Sequence, residues 1–266
     1  MEGSAGTGGI NIMKIISFYL KGKMAHFRRY YSNSSALTYS IPPRTTIAGI
    51  IAGLLGWERD TYYDTFSLKN CRIAVAPVTP IKKCVHKLNL LKVESINELN
   101  GSSGFHTQSA TEFVFPFNLR NGWLSYQVWF YHQDLAIMSQ LEILLTRYTT
   151  AYGSQGISMA LGPAYNLGWI EYAGLAEGEE FTGDSGQELI RSAIPQKNIE
   201  KIGIKDMFSN EYRLVREEIP MEFDKNRRIT STGLSNMIFD LNGNVIPATV
   251  SRWVRLDKNT NITWME

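Results

Sequence analysis

The chain has 266 residues, 44% of them hydrophobic and 20% charged, with a formal net charge of +2; these values are ordinary for a globular protein with a sizeable core. Two cysteines, Cys71 and Cys84, give neither a metal-ligand spacing nor a disulfide framework, and no apolar run approaches the roughly 20 residues that a bilayer span demands. The expectation is a cytoplasmic protein with no cofactor, no metal site and no membrane partner.

Residues 1–12 read as a leader ahead of a natural start at Met13, or as a disordered terminus; residues 1–9 lack the basic flank and apolar core of a secretory signal. Residues 12–20 have the β-branched and aromatic content of a strand. Residues 21–40 show no helical period and read as a long loop. Pro42 and Pro43 forbid a helix where they stand, and Thr45 or Thr46 is placed to cap a helix beginning just after them. There Ile47, Ile50, Ile51, Leu54 and Leu55 fall at i, i+3, i+4, i+7 and i+8, the apolar stripe of a helix packed on a sheet. Gly49 and Gly53 weaken helix propensity by about 1 kcal/mol each, which fits close approach to a neighbour, and Gly56 ends the run.

Residues 71–80 and 124–131 predict strands, the second with Tyr126, Val128 and Phe130 at period two. A structureless excursion between them would be unusually long. Residues 85–93 and 111–117 therefore predict a projecting hairpin, with its tip at 100–108. Residues 134–148 predict a second helix, with Ile137, Leu141, Leu144, Leu145 and Tyr148 on one face. Glycines 153, 156, 162 and 168 read as turns, followed by a strand over 169–173. The βαββαβ order predicts an α+β, ferredoxin-like (RRM-like) body over residues 13–175, with a hairpin insertion at about 80–122. Residues 176–266 predict a β-rich C-terminal extension packed on the same body. In it Ile219, Met221 and Phe223 alternate with polar residues, and residues 241–245 read as a hairpin turn between strands at 237–240 and 245–255.

Charge is unevenly spread. From Gly3 to Trp57 there is no Asp or Glu, while Lys14, Lys21, Lys23, Arg28, Arg29 and Arg44 fall in that window. Between Arg147 and Arg191 only acids occur, among them Glu171, Glu177, Glu179, Glu180, Asp184 and Glu188. Such polarity fits one basic face for a polyanion, or a chance cluster on a solvated surface. Glu177, Glu179, Glu180 and Asp184 lack metal-site spacing and read as a solvated acidic loop.

Residues 39–60, YSIPPRTTIAGIIAGLLGWERD, resemble a signature of the Cas-five family of CRISPR-associated RAMP proteins. The resemblance is carried by Thr38, Tyr39, Ile41, Pro42, Pro43, Arg44, Thr45, Thr46, Gly49, Ala52, Leu55 and Gly56. Tyr165-Asn166-Leu167-Gly168, followed by Trp169-Ile170-Glu171-Tyr172, is similar to a later element of the family. The likeness is specific in the N-terminal third, weaker after residue 175, and nearest to type I-B. It implies a ferredoxin-like RAMP body, a protruding thumb, and a non-catalytic subunit of a type I surveillance complex (Cascade). Such a subunit binds the 5′ handle of crRNA, joins the backbone and large subunits, and meets target DNA indirectly through the complex.

Single-stranded RNA calls for cations along a phosphate track and flat side chains for base stacking. Lys21, Lys23, His26, Phe27, Arg28, Arg29, Tyr30 and Tyr31 place both kinds in one irregular segment. The competing arrangement buries Phe27 and Tyr30 and leaves the arginines in solvent. Arg44, Thr45 and Thr46 stand where a phosphate would meet a helix N-terminus, unless a threonine merely caps it. The thumb hairpin carries Lys82, Lys83, His86, Lys87 and Lys92, suited to clamping RNA or a backbone subunit, or to protecting an edge strand. Two other functions fit the same residues: a metal-independent endoribonuclease using His26, Lys23, Tyr30 and Tyr31, and a protein-only assembly subunit. In type I-B-like systems the resemblance implies a separate RAMP nuclease for processing. Neither a Walker-type loop nor a dinucleotide fingerprint is present.

Overall fold

The computed structural model describes residues 12–32, 36–89, 95–100, 102, 104, 108–147, 156, 159–183, 186–207, 211–256 and 260–266. Its first strand, β1 (Ile12–Gly22), is apolar on both faces because both are covered. Two short strands, β2 (Phe27–Arg28) and β3 (Thr38–Tyr39), pair antiparallel inside the segment expected to be loop. Helix α1 (Arg44–Leu54) comes next, then β4 (Cys71–Pro77) and β5 (Ile81–Asn89). A single helical turn, α2 (Ile96–Leu99), precedes β6 (Gln108–Pro116), β7 (Leu124–His132) and α3 (Leu135–Thr146). The long strand β8 (Gly168–Thr182) leads to short strands β9 (Glu188–Ile190), β10 (Ile194–Pro195) and β11 (Ile199–Ile202). The chain finishes with β12 (Leu214–Pro220), β13 (Leu234–Asp240), β14 (Ile246–Val250), β15 (Arg252–Arg255) and β16 (Asn261–Ile262).

The result is a mixed α+β, strand-rich architecture with few helices. Strands β8, β1, β7 and β4 lie side by side, each antiparallel to the next, and β5 with β6 forms a separate two-stranded ribbon. On one sheet face Ile16, Phe18, Leu20, Val128 and Phe130 pack against Ile47, Ile51 and Leu54 of α1 and Leu141 and Leu145 of α3. Each such side chain contributes about 1.5–3 kcal/mol when fully buried, so the stripe read in the sequence is what seats α1. The opposite face is covered by Trp264, Val254 and Ile262 against Met13, Ile15 and Trp129. The C-terminal strands continue the same sheet beyond β8, in the order β15, β16, β9, β14, β11.

Three expectations change. Helix α1 begins earlier than the stripe, at Arg44, with Pro43 as N-cap and no side-chain cap, so neither Thr45 nor Thr46 caps it. Proline lacks the N–H that a cap position leaves unpaired and pre-sets a helix-compatible φ. Residues 241–245 do turn, with Gly243 at φ 76° and the Asp240 side chain accepting from Asn244 N at 2.9 Å. They join two different sheets rather than a hairpin: β13 pairs with β10 and β12, whereas β14 pairs with β9 and β11. The second helix ends at Thr146, and Tyr148, Gly153, Lys92 and Asp184 lie outside the described residues.

Candidate nucleic-acid interface

The segment after β1 is shaped by the root of the β5–β6 ribbon. Ala25 pairs with Val114 and Ala36 with Thr111, while Thr38 N donates to Glu112 Oε2 at 3.0 Å. The short β2–β3 pair is closed by Phe27 N donating to Thr38 Oγ1 at 2.8 Å. This folding buries Phe27, whose ring meets Tyr126 edge-on at 5.9 Å. Phe27 is therefore a core residue and not a base-stacking surface, a correction to the expected contact set. Alternation explains it: in a paired strand the neighbours of exposed Arg28 face inward.

A cleft of about 500 Å³ opens beside this pair, lined by His26, Arg28, Thr46, Thr111 and Tyr165 together with Phe27, Ala36, Gly162 and Pro163. Its floor depends on one glycine. Gly162 has φ 105°, and a Cβ there would lie 2.0 Å from the His26 carbonyl oxygen. Only a residue without a side chain allows both the conformation and the approach. The cleft thus joins the basic segment, the first turn of α1, the ribbon root and the turn preceding β8.

His26 is only 5% exposed and its Nδ1 lies 2.7 Å from the Glu112 carbonyl oxygen. A carbonyl only accepts, so Nδ1 carries the proton and Nε2 is the basic nitrogen. Burial is the main cause that lowers the pKa of His26 below its ordinary value, outweighing that hydrogen bond. A histidine with a depressed folded pKa binds its proton more readily when unfolded. Stability is then fully present above the unfolded value near 6.5 and is lost as pH falls below it towards the folded value. Urea unfolding between pH 7.5 and 5.5 is expected to show that decline, and His26→Gln to flatten it; a slope unchanged in the variant refutes the assignment.

The cations divide into free and committed groups. Arg28 is exposed and donates to the Ser32 carbonyl at 3.2 Å, with no salt bridge among the described residues. Tyr30 and Tyr31 are exposed and meet edge-to-face at 5.0 Å. Arg29 is held instead: its guanidinium donates to Thr38 O, to the Tyr31 hydroxyl and to Glu217 Oε1 at 3.1 Å. Lys83 of the ribbon reaches the same carboxylate at 3.0 Å, and Ser40 donates to it from backbone and hydroxyl. Glu217, buried on β12, was not anticipated, since nothing near it in sequence marks it. Lys21 pairs with Glu171 at 2.5 Å, which holds that carboxyl below its usual range. Lys23 donates to Gly122 O and sits 3.9 Å over the Trp123 ring.

Arg44 is the largest correction. It is 1% exposed, and its guanidinium donates to the carbonyls of Met221, Phe66, Ser67 and Cys71 at 2.8–3.0 Å. A phosphate has no access to it, so Arg44 is a fold-holding clamp. Thr45 and Thr46 are half-buried in the first helical turn, and Thr46 reaches the cleft wall. On the ribbon, His86 and Lys87 are exposed and Lys82 lies 5.4 Å from the Phe117 ring. In the acidic stretch Glu180 pairs with Arg252 at 2.7 Å. Among the described residues no group of three or more His, Cys, Asp or Glu side chains is placed to hold a metal ion, and no helix is long and apolar enough to cross a membrane.

Sequence comparison gives the class: residues 15–120 match the family model described as CRISPR-associated protein (Cas_Cas5). That stretch, which holds most of β1, the basic segment, α1 and the β5–β6 ribbon, is the part of the chain similar to the family, and it contains the motif at 39–56. No curated protein matches the chain. Among solved structures, one described as "Crystal Structure of CRISPR-associated Protein" aligns at TM-score 0.41 and 11% identity, covering 92% of this chain and 96% of that one. One described as "CRISPR RNA-guided surveillance complex" aligns at TM-score 0.41 and 12% identity, covering 87% and 91%. A type III-B Cmr-beta complex bound to cognate target RNA aligns at TM-score 0.42 and 11% identity, covering 87% and 86%. At those values the assignment rests on the sequence match.

Proposed function

We propose that this protein is a non-catalytic, crRNA-binding subunit of a CRISPR surveillance complex, holding the 5′ handle on the segment after β1. The strand order β8-β1-β7-β4 with α1 and α3 on one face reads as a ferredoxin-like body over residues 13–175, and β5–β6 as its thumb. The C-terminal strands read as an extension packed on that body. Backbone and large subunits of a type I complex are the expected partners, with target DNA met through the complex. The observation that carries the reading is the cleft walled by Arg28, His26, Thr46 and Tyr165, with the exposed Tyr30–Tyr31 pair following Arg28 in the same segment. A free guanidinium, flat exposed rings and a nucleotide-sized hollow meet what an unpaired strand requires. Of the expected contacts, Lys23, Arg28, Tyr30, Tyr31 and Thr46 keep this role, Lys21 and Arg29 act through their ion pairs, and Phe27 and Arg44 leave the set.

One observation favours the endoribonuclease reading: His26 lines the cleft as a neutral imidazole with Nε2 as its basic nitrogen. The deciding experiment incubates the protein with labelled precursor crRNA in EDTA and resolves it on native and denaturing gels. A shifted, uncut RNA is expected. Arg28→Ala combined with Tyr30→Ala is expected to weaken it about 10- to 100-fold, in the range of lost stacking plus a lost phosphate contact. Log affinity should fall against log salt with a slope of about −0.7 per phosphate engaged. A discrete cut abolished by His26→Gln refutes the non-catalytic assignment, and no shift at any salt leaves assembly as the function.

A further inference from the structure

The connection between β6 and β7, residues 117–123, sets three large apolar side chains in solvent: Phe117 at 57% exposure, Leu119 at 54% and Trp123 at 45%. This is not a slack loop. The Asn118 side chain accepts from Arg120 N and Asn121 N at 3.1 and 3.3 Å, and Gly122 N donates to Asn118 O at 2.9 Å. Phe117 N donates to Pro80 O at 2.8 Å, and the Thr79 hydroxyl to Trp123 O at 2.8 Å. A turn fixed by this many hydrogen bonds has no need to leave rings in water for its own stability.

Cations surround those rings. Lys82 and Arg213 lie 5.4 and 5.1 Å from the Phe117 ring, and Lys23 lies 3.9 Å from Trp123. Trp169 meets Trp123 edge-on at 4.9 Å. Arg120 is exposed on the turn itself. Among the described residues Lys23, Lys82, Arg120 and Arg213 form no salt bridge; Lys21, beside them on β1, is paired to Glu171. Protein interfaces deplete charge at their centres. Lys23 donates to Gly122 O, and Arg213 to Asn242 Oδ1 and Ile81 O, so these cations are held in place by neutral acceptors that leave their charge unbalanced. Cations of this kind alternating with rings are the arrangement that holds phosphates and stacks bases together.

We infer that residues 117–123, with Lys23, Lys82, Arg213 and Trp169, form a second stacking platform that binds single-stranded nucleic acid through Phe117 and Trp123. This rests on the RNA-binding reading for its continuity, because Lys23 belongs to the basic segment and touches the platform. It adds residues outside that segment and assigns them the strand as it leaves the cleft.

The test is fluorescence titration of the protein with uniform single-stranded oligonucleotides, RNA and DNA, at two salt concentrations. Trp123 emission should be quenched on binding, and Trp123→Phe should remove that component. Phe117→Ala and Trp123→Ala should each weaken binding about 5- to 100-fold, the range spanned by stacking of one base. Since both rings also touch neighbouring cations, and Trp123 touches Trp169, affinity is compared well below the melting temperature of each variant. Loss of affinity in Arg28→Ala but not in either platform variant overturns this inference and leaves the handle reading standing. Loss in the platform variants but not in Arg28→Ala supports the platform and removes the handle reading. Unaltered oligonucleotide binding with failed co-purification of a partner subunit overturns the platform in favour of a protein contact.

Discussion

Arg44→Met is expected to destabilise the fold and to leave any nucleic-acid surface intact. Four buried carbonyls, from Met221, Phe66, Ser67 and Cys71, share one guanidinium, and between them they tie α1 to the start of β4 and to the segment after β12. Leaving a buried acceptor without a donor costs about 1–3 kcal/mol, and with partial relaxation the combined loss is about 3–5 kcal/mol. At this chain length each kcal/mol lowers the melting temperature by about 2–4 °C, so a drop of about 10 °C should be read by calorimetry. Arg44→Lys should fall almost as far, since a compact ammonium does not span acceptors arranged for a planar fork. RNA affinity of the folded fraction at low temperature should be unchanged. A variant with native melting temperature and lost RNA affinity would restore the phosphate-contact assignment.

Glu217→Ala is expected to cost about 2–4 kcal/mol, as hydrogen bonds to a charged group contribute about 1.5–3 kcal/mol each and the freed partners are only partly desolvated. One carboxylate receives Arg29, Lys83 and both donors of Ser40, so β12, the basic segment and the ribbon root meet there. Glu217→Gln keeps the shape and should lose less. A double-mutant cycle with Lys83→Met should give a coupling energy of about 0.5–3 kcal/mol, measured by urea unfolding; additive effects would refute the shared node.

Much of the body was legible because its signals are periodic and local. The stripe from Ile47 to Leu54 predicted α1, and alternation at Tyr126, Val128 and Phe130 predicted β7. The ribbon was inferred from the improbability of a long bare loop. What the sequence did not disclose depends on distant partners. A guanidinium after two prolines reads as a phosphate contact until Met221 and Cys71 close over it. Phe27 reads as a stacking ring until β2 pairs with β3 and turns it inward. Glu217 and Trp123 carry no local motif; their contacts come from residues far along the chain or across the sheet.

That long reach through Glu217 has a consequence for the order of events during synthesis. The basic segment emerges from the ribosome early, yet its Arg29 waits for a carboxylate 188 residues later. At about 5–20 residues per second, roughly 10–40 s separate the two. Through that interval the nascent chain carries its cations without the frame that aims them. The node that joins Arg29, Lys83 and Ser40 about one carboxylate therefore exists only in a chain translated past β12, and any function that needs Arg29 held in place begins there.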